Sequence, residues 1–116
     1  MPTARSYPKA VRIRRRRDYQ RVQRGGHRRH TRHFVVVSMA GHQRGHRLGV
    51  TVSSRVGSSV ERNRVKRHVR EIFRTMHSNA PGASDMVVIA KRGAPGLTHA
   101  EIAGEIEQVL RSVGAG

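Results

Sequence analysis

The sequence has no cysteine and no tryptophan, and two tyrosines and two phenylalanines are all its large aromatic side chains. The missing cysteines exclude disulfide bonds and thiolate metal sites, so nothing favours an oxidising compartment. The longest apolar runs, at 34–37 and 86–90, are too short to span a bilayer or to form a secretory signal. We therefore expect a cytoplasmic protein with no membrane segment.

Acidic residues are also scarce, with seven Asp and Glu against 24 Lys and Arg, for a net charge of +17. They form neither the adjacent pair nor the DxD-like cluster that a two-metal phosphodiesterase needs. We therefore predict no catalytic residue in this chain. A nuclease that uses histidine for general acid–base catalysis stays open in principle, but no spacing singles out a pair.

The histidines have loosely metal-like spacings in His27, His30 and His33, and in His42 with His46. Neighbouring arginines would repel a dication, and no cysteine or acid completes a ligand set. We predict no metal site here and interpret the segment as a solvated loop that faces RNA.

Arginine dominates the cations, because only Lys9, Lys66 and Lys91 are lysines. The planar guanidinium holds two phosphate oxygens or stacks on a base, whereas a lysine acts as a point charge. The composition therefore favours structured RNA as a partner, although a bias in genome composition would give the same enrichment.

A long amphipathic helix is the clearest predicted element. Ser58 and Glu61 form a capping box, which predicts a helix that begins near Ser59. Its apolar residues fall on one stripe: Val65, Val69, Ile72, Phe73 and Met76. The other side carries polar and cationic residues: Asn63, Arg64, Lys66, Arg67, Arg70 and Arg74. Because stacked like charges repel, this face indicates a polyanionic partner.

Arg62 is the exception on this helix, since it projects toward the buried stripe. It either extends past the first turn to solvent or lines a cleft between the helix and the neighbouring sheet, and we favour the cleft.

The rest of the chain predicts one small domain. Residues 1–17 are interpreted as a flexible basic arm and 18–116 as a single domain, with a short helix that Asp18 caps and that continues through Arg24. Strands at 34–39 and 48–53 are joined by a turn at 41–45 into an antiparallel hairpin. The long helix closes at 79–82, and a third strand covers 86–91.

The C-terminal part predicts a second amphipathic helix, opened by a capping box of Thr98 and Glu101. Its apolar face consists of Ile102, Ile106, Val109, Leu110 and Val113. Two such helices on a small sheet give an α/β (α+β) two-layer sandwich, with further helices at both ends of the chain.

The run Arg55–Glu71, RVGSSVERNRVKRHVRE, resembles the characteristic motif of the bacterial ribonuclease P protein component, with Arg62, Asn63 and Arg64 as its RNR motif. Blocks at 17–25, 47–53 and 85–93 follow in the family's order. The resemblance implies a left-handed βαβ crossover around the long cationic helix, whereas the general rule for parallel strands gives the opposite hand. We follow the resemblance.

The resemblance also implies a function. The protein would be a subunit of the ribonucleoprotein that removes the 5′ leader of precursor tRNA, with catalytic magnesium in the RNA subunit. Its partners would be that RNA and precursor tRNA, with no obligate protein partner. The residues implied to bind the catalytic RNA are Arg55, Arg62, Asn63, Arg64, Lys66, Arg67 and Arg70. Those implied to line the leader cleft are Tyr19, Gln23, Phe34 and Val37.

This chain departs from the family at Gln23 and Val37, where aromatic residues are frequent, so its capacity to stack on leader bases is small. Phe34 is also a candidate core residue.

The alternative is a ribosomal or other structural RNA-binding protein, which explains the charge but not the ordered motif. An architectural DNA-binding protein or a membrane-active helix explains less, because groove-reading modules and tryptophan anchors are missing.

Overall fold

The computed structural model describes residues 12–41, 46–77 and 84–115, and the side chains of the last helix as far as Val109. Its helices are α1 (Arg16–Gly25), α2 (Ser59–His77) and α3 (His99–Ala115). Its strands are β1 (His27–His30), β2 (Phe34–Ala40), β3 (Arg47–Thr51) and β4 (Ser84–Ala90). The predicted turn residues 42–45, the predicted helix end at 79–82 and the side chains of Leu110 and Val113 lie outside the described residues.

The four strands form one mixed sheet in the order β1-β2-β4-β3. Strand β2 pairs antiparallel with β1 and β4, and β3 pairs parallel with β4. The predicted hairpin of β2 and β3 is therefore wrong, since β4 lies between them. Strand β4 takes this position because Met86, Val87 and Val88 are apolar and buried on both faces, as expected of a central strand.

Strand β1 was not predicted, because its sequence HRRH has no apolar alternation. It is an edge strand that is held by pairing with β2, so its existence depends on a partner rather than on its own sequence.

Both faces of the sheet are covered. Phe34, Val36 and Met86 belong to the core that holds the buried stripes of α2 and α3. Val35, Val37 and Val87 pack with Val22 of α1 and with Ile13 on the other face. The mixed α and β architecture and the helices at both ends are confirmed. Helix α1 adds a layer on the face that the two-layer description leaves open, because β2 and β4 are apolar on both sides.

The predicted helix starts and stripes are confirmed for α2 and α3. The Ser58 backbone N–H donates to Glu61 Oε1 at 3.0 Å, and the Glu61 N–H donates to Ser58 Oγ at 3.2 Å. In the same way, the Thr98 N–H donates to Glu101 Oε1 at 2.9 Å, and the Glu101 N–H donates to Thr98 Oγ1 at 3.2 Å. The stripe residues with described side chains are buried or partly buried: Val65, Val69, Ile72, Phe73, Met76, Ile102, Ile106 and Val109.

The start of the domain differs from the prediction. Ile13 is buried, and its N–H donates to the Leu48 carbonyl at 2.9 Å, so residues 12–17 are part of the domain and not of an arm. Residues 1–11 lie outside the described residues. Helix α1 begins at Arg16 after an Arg15 N-cap, and Asp18 lies in its first turn rather than capping it.

The connection β3-α2-β4 joins two parallel neighbouring strands. Its left hand stays a prediction. Within the described ranges, no helix is long and apolar enough to cross a membrane.

Candidate nucleic-acid interface

A groove of about 560 Å³ lies where α1, β3 and α2 meet. Its lining includes Tyr19 and Gln23 of α1, Thr51 at the end of β3 and Lys66 of α2. Arg14 and Arg16 also line it. The sequence prediction does not include these two arginines as site residues, because it assigns the run 14–17 to a flexible arm. The charge of this run is the signal that could have found them.

Tyr19 is positioned by the absence of a side chain at Gly49. A Cβ at position 49 would lie 2.6 Å from two ring carbons of Tyr19, which is closer than atoms approach without bonding. The ring therefore rests on the β3 backbone. Burial raises the pKa of the Tyr19 hydroxyl, although a backbone hydrogen bond at Val50 and the charge of Arg70 act in the opposite direction. The side chain is a neutral, half-buried aromatic surface at the groove.

Phe34 and Val37 do not line this groove, so the prediction that placed them there is wrong. Both side chains have no exposed surface. Phe34 packs beneath α2 and α3, and Val37 packs beneath α1 on the opposite face. Neighbouring strand residues alternate between faces, and in β2 both faces are covered. The structure thus brings Tyr19 and Gln23 together with Lys66, and separates Phe34 and Val37 from them.

The cationic face of α2 is accessible. Asn63, Arg64 and Arg67 are exposed, Lys66 and Arg70 are half-buried, and Arg55 is exposed in the preceding loop. Lys66 lines the groove and Arg70 is near enough to Tyr19 to act on its charge state. The cationic face and the groove are therefore continuous.

Two arginines of the RNR motif also make contacts within the protein. Arg64 donates to the Pro95 carbonyl and so ties α2 to the turn before α3. Arg62 is half-buried, and its Nε donates to the Ser58 carbonyl at 3.4 Å, one turn back on the same helix. Arg62 is outside the groove lining, so the interpretation that it lines the cleft is not supported; it lies along its own first turn.

Two acidic side chains, Asp85 and Asp18, face arginines inside the domain rather than this surface. Asp85 is almost fully buried and accepts from Arg47 Nε at 2.9 Å and from the Arg47 terminal nitrogen at 2.8 Å. Arg21 of α1 also donates to Asp85, and Asp18 lies 3.9 Å from Arg47. Burial alone would raise the pKa of Asp85, but its hydrogen bonds with Arg47 and Arg21 lower it below its usual value.

Within the described ranges, no group of three or more His, Asp or Glu side chains could hold a metal ion. His68 and His99 form a pair with their Nδ1 atoms 2.7 Å apart. Burial, followed by the nearby charges of His99 and Arg64, lowers the pKa of His68. The pair links α2 to the start of α3.

Comparison with known proteins gives one family. The family model described as Ribonuclease P matches residues 7–114. The ribonuclease P protein component of Desulforapulum autotrophicum is 34% identical over 108 residues, covering 93% of this chain and 92% of that protein. The ribonuclease P protein component of Staphylococcus haemolyticus is 39% identical over 103 residues, covering 89% of this chain and 90% of that protein.

Solved structures agree. The RNase P protein of Staphylococcus aureus superposes with a TM-score of 0.83 at 36% identity, over 90% of this chain and 96% of that one. The RNase P protein of Thermotoga maritima superposes with a TM-score of 0.78 at 28% identity, over 87% of this chain and 96% of that one. With the ordered motifs, the shared fold and these relatives together, the chain belongs to the bacterial ribonuclease P protein component family.

Proposed function

We propose that this chain is the protein subunit of a ribonuclease P particle, which removes the 5′ leader from precursor tRNA by endonucleolytic cleavage. It binds the RNA subunit through the exposed face of α2 and the loop at Arg55. It holds the leader in the groove between α1, β3 and α2. The observation that carries this proposal is the continuity of the groove with the cationic face through Lys66.

The groove has the two features that single-stranded RNA requires. Arg14, Arg16 and Lys66 supply positive charge for the backbone, and Tyr19 supplies one aromatic surface for a base. A base stacked on an aromatic side chain contributes about 1–3 kcal/mol without sequence preference. With a single aromatic residue in the groove lining, charge carries a larger share of leader binding.

Catalysis is assigned to the RNA subunit in this proposal, with Mg²⁺ held by that RNA and at its interface with the protein. Support comes from the acidic side chains, since Asp85, Glu105 and both capping glutamates are engaged in intramolecular contacts. The partners are the RNA subunit and precursor tRNA, without an obligate protein partner, and the particle works in the cytoplasm.

Leader removal from a precursor tRNA tests the proposal, measured with RNA subunit alone, protein alone and both together at low magnesium. We expect no cleavage by the protein alone, and faster cleavage by the mixture than by RNA alone. Robust magnesium-dependent cleavage by RNA-free protein would contradict the assignment of catalysis. An RNA subunit that gains nothing from the protein would favour the alternative of a structural RNA-binding protein.

A further inference from the structure

A second cationic surface lies along strand β1. It consists of His27, Arg28, His30 and Arg32, which are exposed, and Arg29, which is half-buried. We call it the β1 edge surface. Strand β1 forms one edge of the sheet, and β3, on which α2 packs, forms the other. With neighbouring strands about 4.8 Å apart, three intervals separate the two edges by roughly 14 Å.

The β1 edge surface has little countercharge. Every ionisable residue from Arg24 to His33 is Arg or His. The cross-strand partners of β1 on β2 run from Val35 to Ser38 and are uncharged. Like charges so close together destabilise a sheet edge unless an anion binds them.

Glu105 is the acid that α3 brings near this edge, and it is already bound. Its carboxylate accepts the His33 backbone N–H at 2.8 Å and contacts the His33 ring at Nδ1 at 2.6 Å. Burial alone would raise the pKa of Glu105, but hydrogen bonds from Thr31 and His33 lower it. The carboxylate is therefore ionised and bound to His33.

A groove of about 490 Å³ separates the β1 edge surface from α3. Arg29, His30, Thr31 and Arg32 line one wall, and the other wall consists of Gln108, Val109 and Glu105, the carboxylate of which is hydrogen-bonded to His33. This volume falls within the range of small-ligand sites. The cationic wall suits a phosphate, while Val109 and Gln108 offer apolar surface and hydrogen-bonding groups to a base.

We propose that the β1 edge surface is a second RNA-binding surface, which holds the phosphates of an unpaired RNA segment and seats one nucleotide in the groove beside α3. This second surface rests on the proposed function, because it requires that the chain binds RNA. The RNA segment bound here differs from the RNA segment bound by α2, because the two protein surfaces lie at opposite edges of the sheet. The competing explanation is that the charges only protect an exposed strand edge from pairing with another chain.

The absence of cysteine makes a direct mapping experiment possible. Arg28→Cys and Arg67→Cys each provide a single attachment point for an iron chelate that cuts nearby RNA. The probe is the ribonuclease P RNA subunit in complex with precursor tRNA. We expect cuts from position 28 in a segment separate from the cuts from position 67. Cuts from position 67 alone, or from both positions in one segment, would overturn the second surface and leave the proposed function intact. No cuts from either position would count against both.

A salt titration of binding to the same RNA complements the mapping. Arg28→Gln/Arg32→Gln removes two exposed cations of the β1 edge surface. Arg17→Gln/Arg92→Gln removes two exposed cations that line neither groove and lie outside the cationic face of α2. Two lost contacts to single-stranded phosphates should reduce the slope of log K against log salt by about 1.4. We expect this reduction for the first variant and less than half of it for the control. Equal slopes in both variants would favour the explanation that the charges of β1 only protect the strand edge from pairing with another chain.

Discussion

Asp85 is the residue on which the inner charge network depends. It is buried on β4 and forms salt bridges with Arg47 of β3 and Arg21 of α1. One carboxylate therefore connects two of the elements that form the groove, α1 and β3. Breaking a buried ion pair from one side leaves charges without compensation and costs about 3–5 kcal/mol. We predict that Asp85→Asn lowers the free energy of unfolding by about this amount, measured by urea denaturation. Glu71→Gln, which breaks the exposed pair with Arg74, is the control and should cost about 1 kcal/mol or less.

The pH dependence follows from the direction of the Asp85 pKa. Because the pKa is lower in the folded state than in the unfolded chain, the pair contributes its full stability above the unfolded pKa. That contribution is lost as the pH falls through the folded pKa. The wild type should therefore lose stability below about pH 4, and Asp85→Asn should show a shallower loss in that range. An identical acid dependence in the two proteins would mean that other carboxyl groups control it.

Gly49 sets the position of Tyr19. A methyl group at position 49 would displace the ring. We predict that Gly49→Ala lowers the affinity of the reconstituted particle for leader-bearing tRNA by about 5- to 150-fold, which corresponds to the loss of one stacking contact. Its affinity for mature tRNA should change little. Gly104→Ala is the matched control, because a Cβ there meets no atom within 4 Å. Equal losses of both affinities in Gly49→Ala would instead indicate general damage to the fold.

At the level of elements, the sequence predicted α2 and α3 well because a helix depends on neighbours three and four residues apart. The capping boxes and the buried stripes needed no information from elsewhere in the chain. Strand order did need it. The place of β4 between β2 and β3, and the existence of β1, depend on pairing between distant segments. The salt bridge of Arg21 with Asp85 spans 64 residues. The groove residue Arg14 lies in a segment that the sequence predicts to be a flexible arm.

The start of α2 is the element whose local chemistry is easiest to test. Ser58→Ala removes the hydroxyl that accepts the Glu61 N–H, and such a loss costs about 0.5–2 kcal/mol. We predict this decrease in the free energy of unfolding, with a smaller helical circular dichroism signal at intermediate urea. Ser59→Ala, one residue later and also exposed, should be nearly neutral. If the two variants were equally destabilised, the hydroxyl of Ser58 would not be a cap in solution.

For the whole molecule, the distribution of charge matters more than its total. The chain has a net charge of +17, and Asp85 and Glu105 are engaged with basic side chains within the domain. Among the described residues, exposed cations lie on α2, at the groove and along β1. One face of α2 can then dock on a large RNA while the adjoining groove holds a single strand. This arrangement is suited to a protein that helps an RNA to recognise the unpaired leader of its substrate.

The most direct measurement is the affinity for precursor tRNA and for mature tRNA, each determined for the RNA subunit alone and for the RNA with this protein. The proposed function predicts that the protein raises the affinity for the leader-bearing tRNA and leaves that for mature tRNA nearly unchanged. Tyr19→Ala should remove part of that gain, because it takes away the one aromatic side chain of the groove lining. A protein that raises both affinities equally, or neither, would contradict a leader-binding subunit.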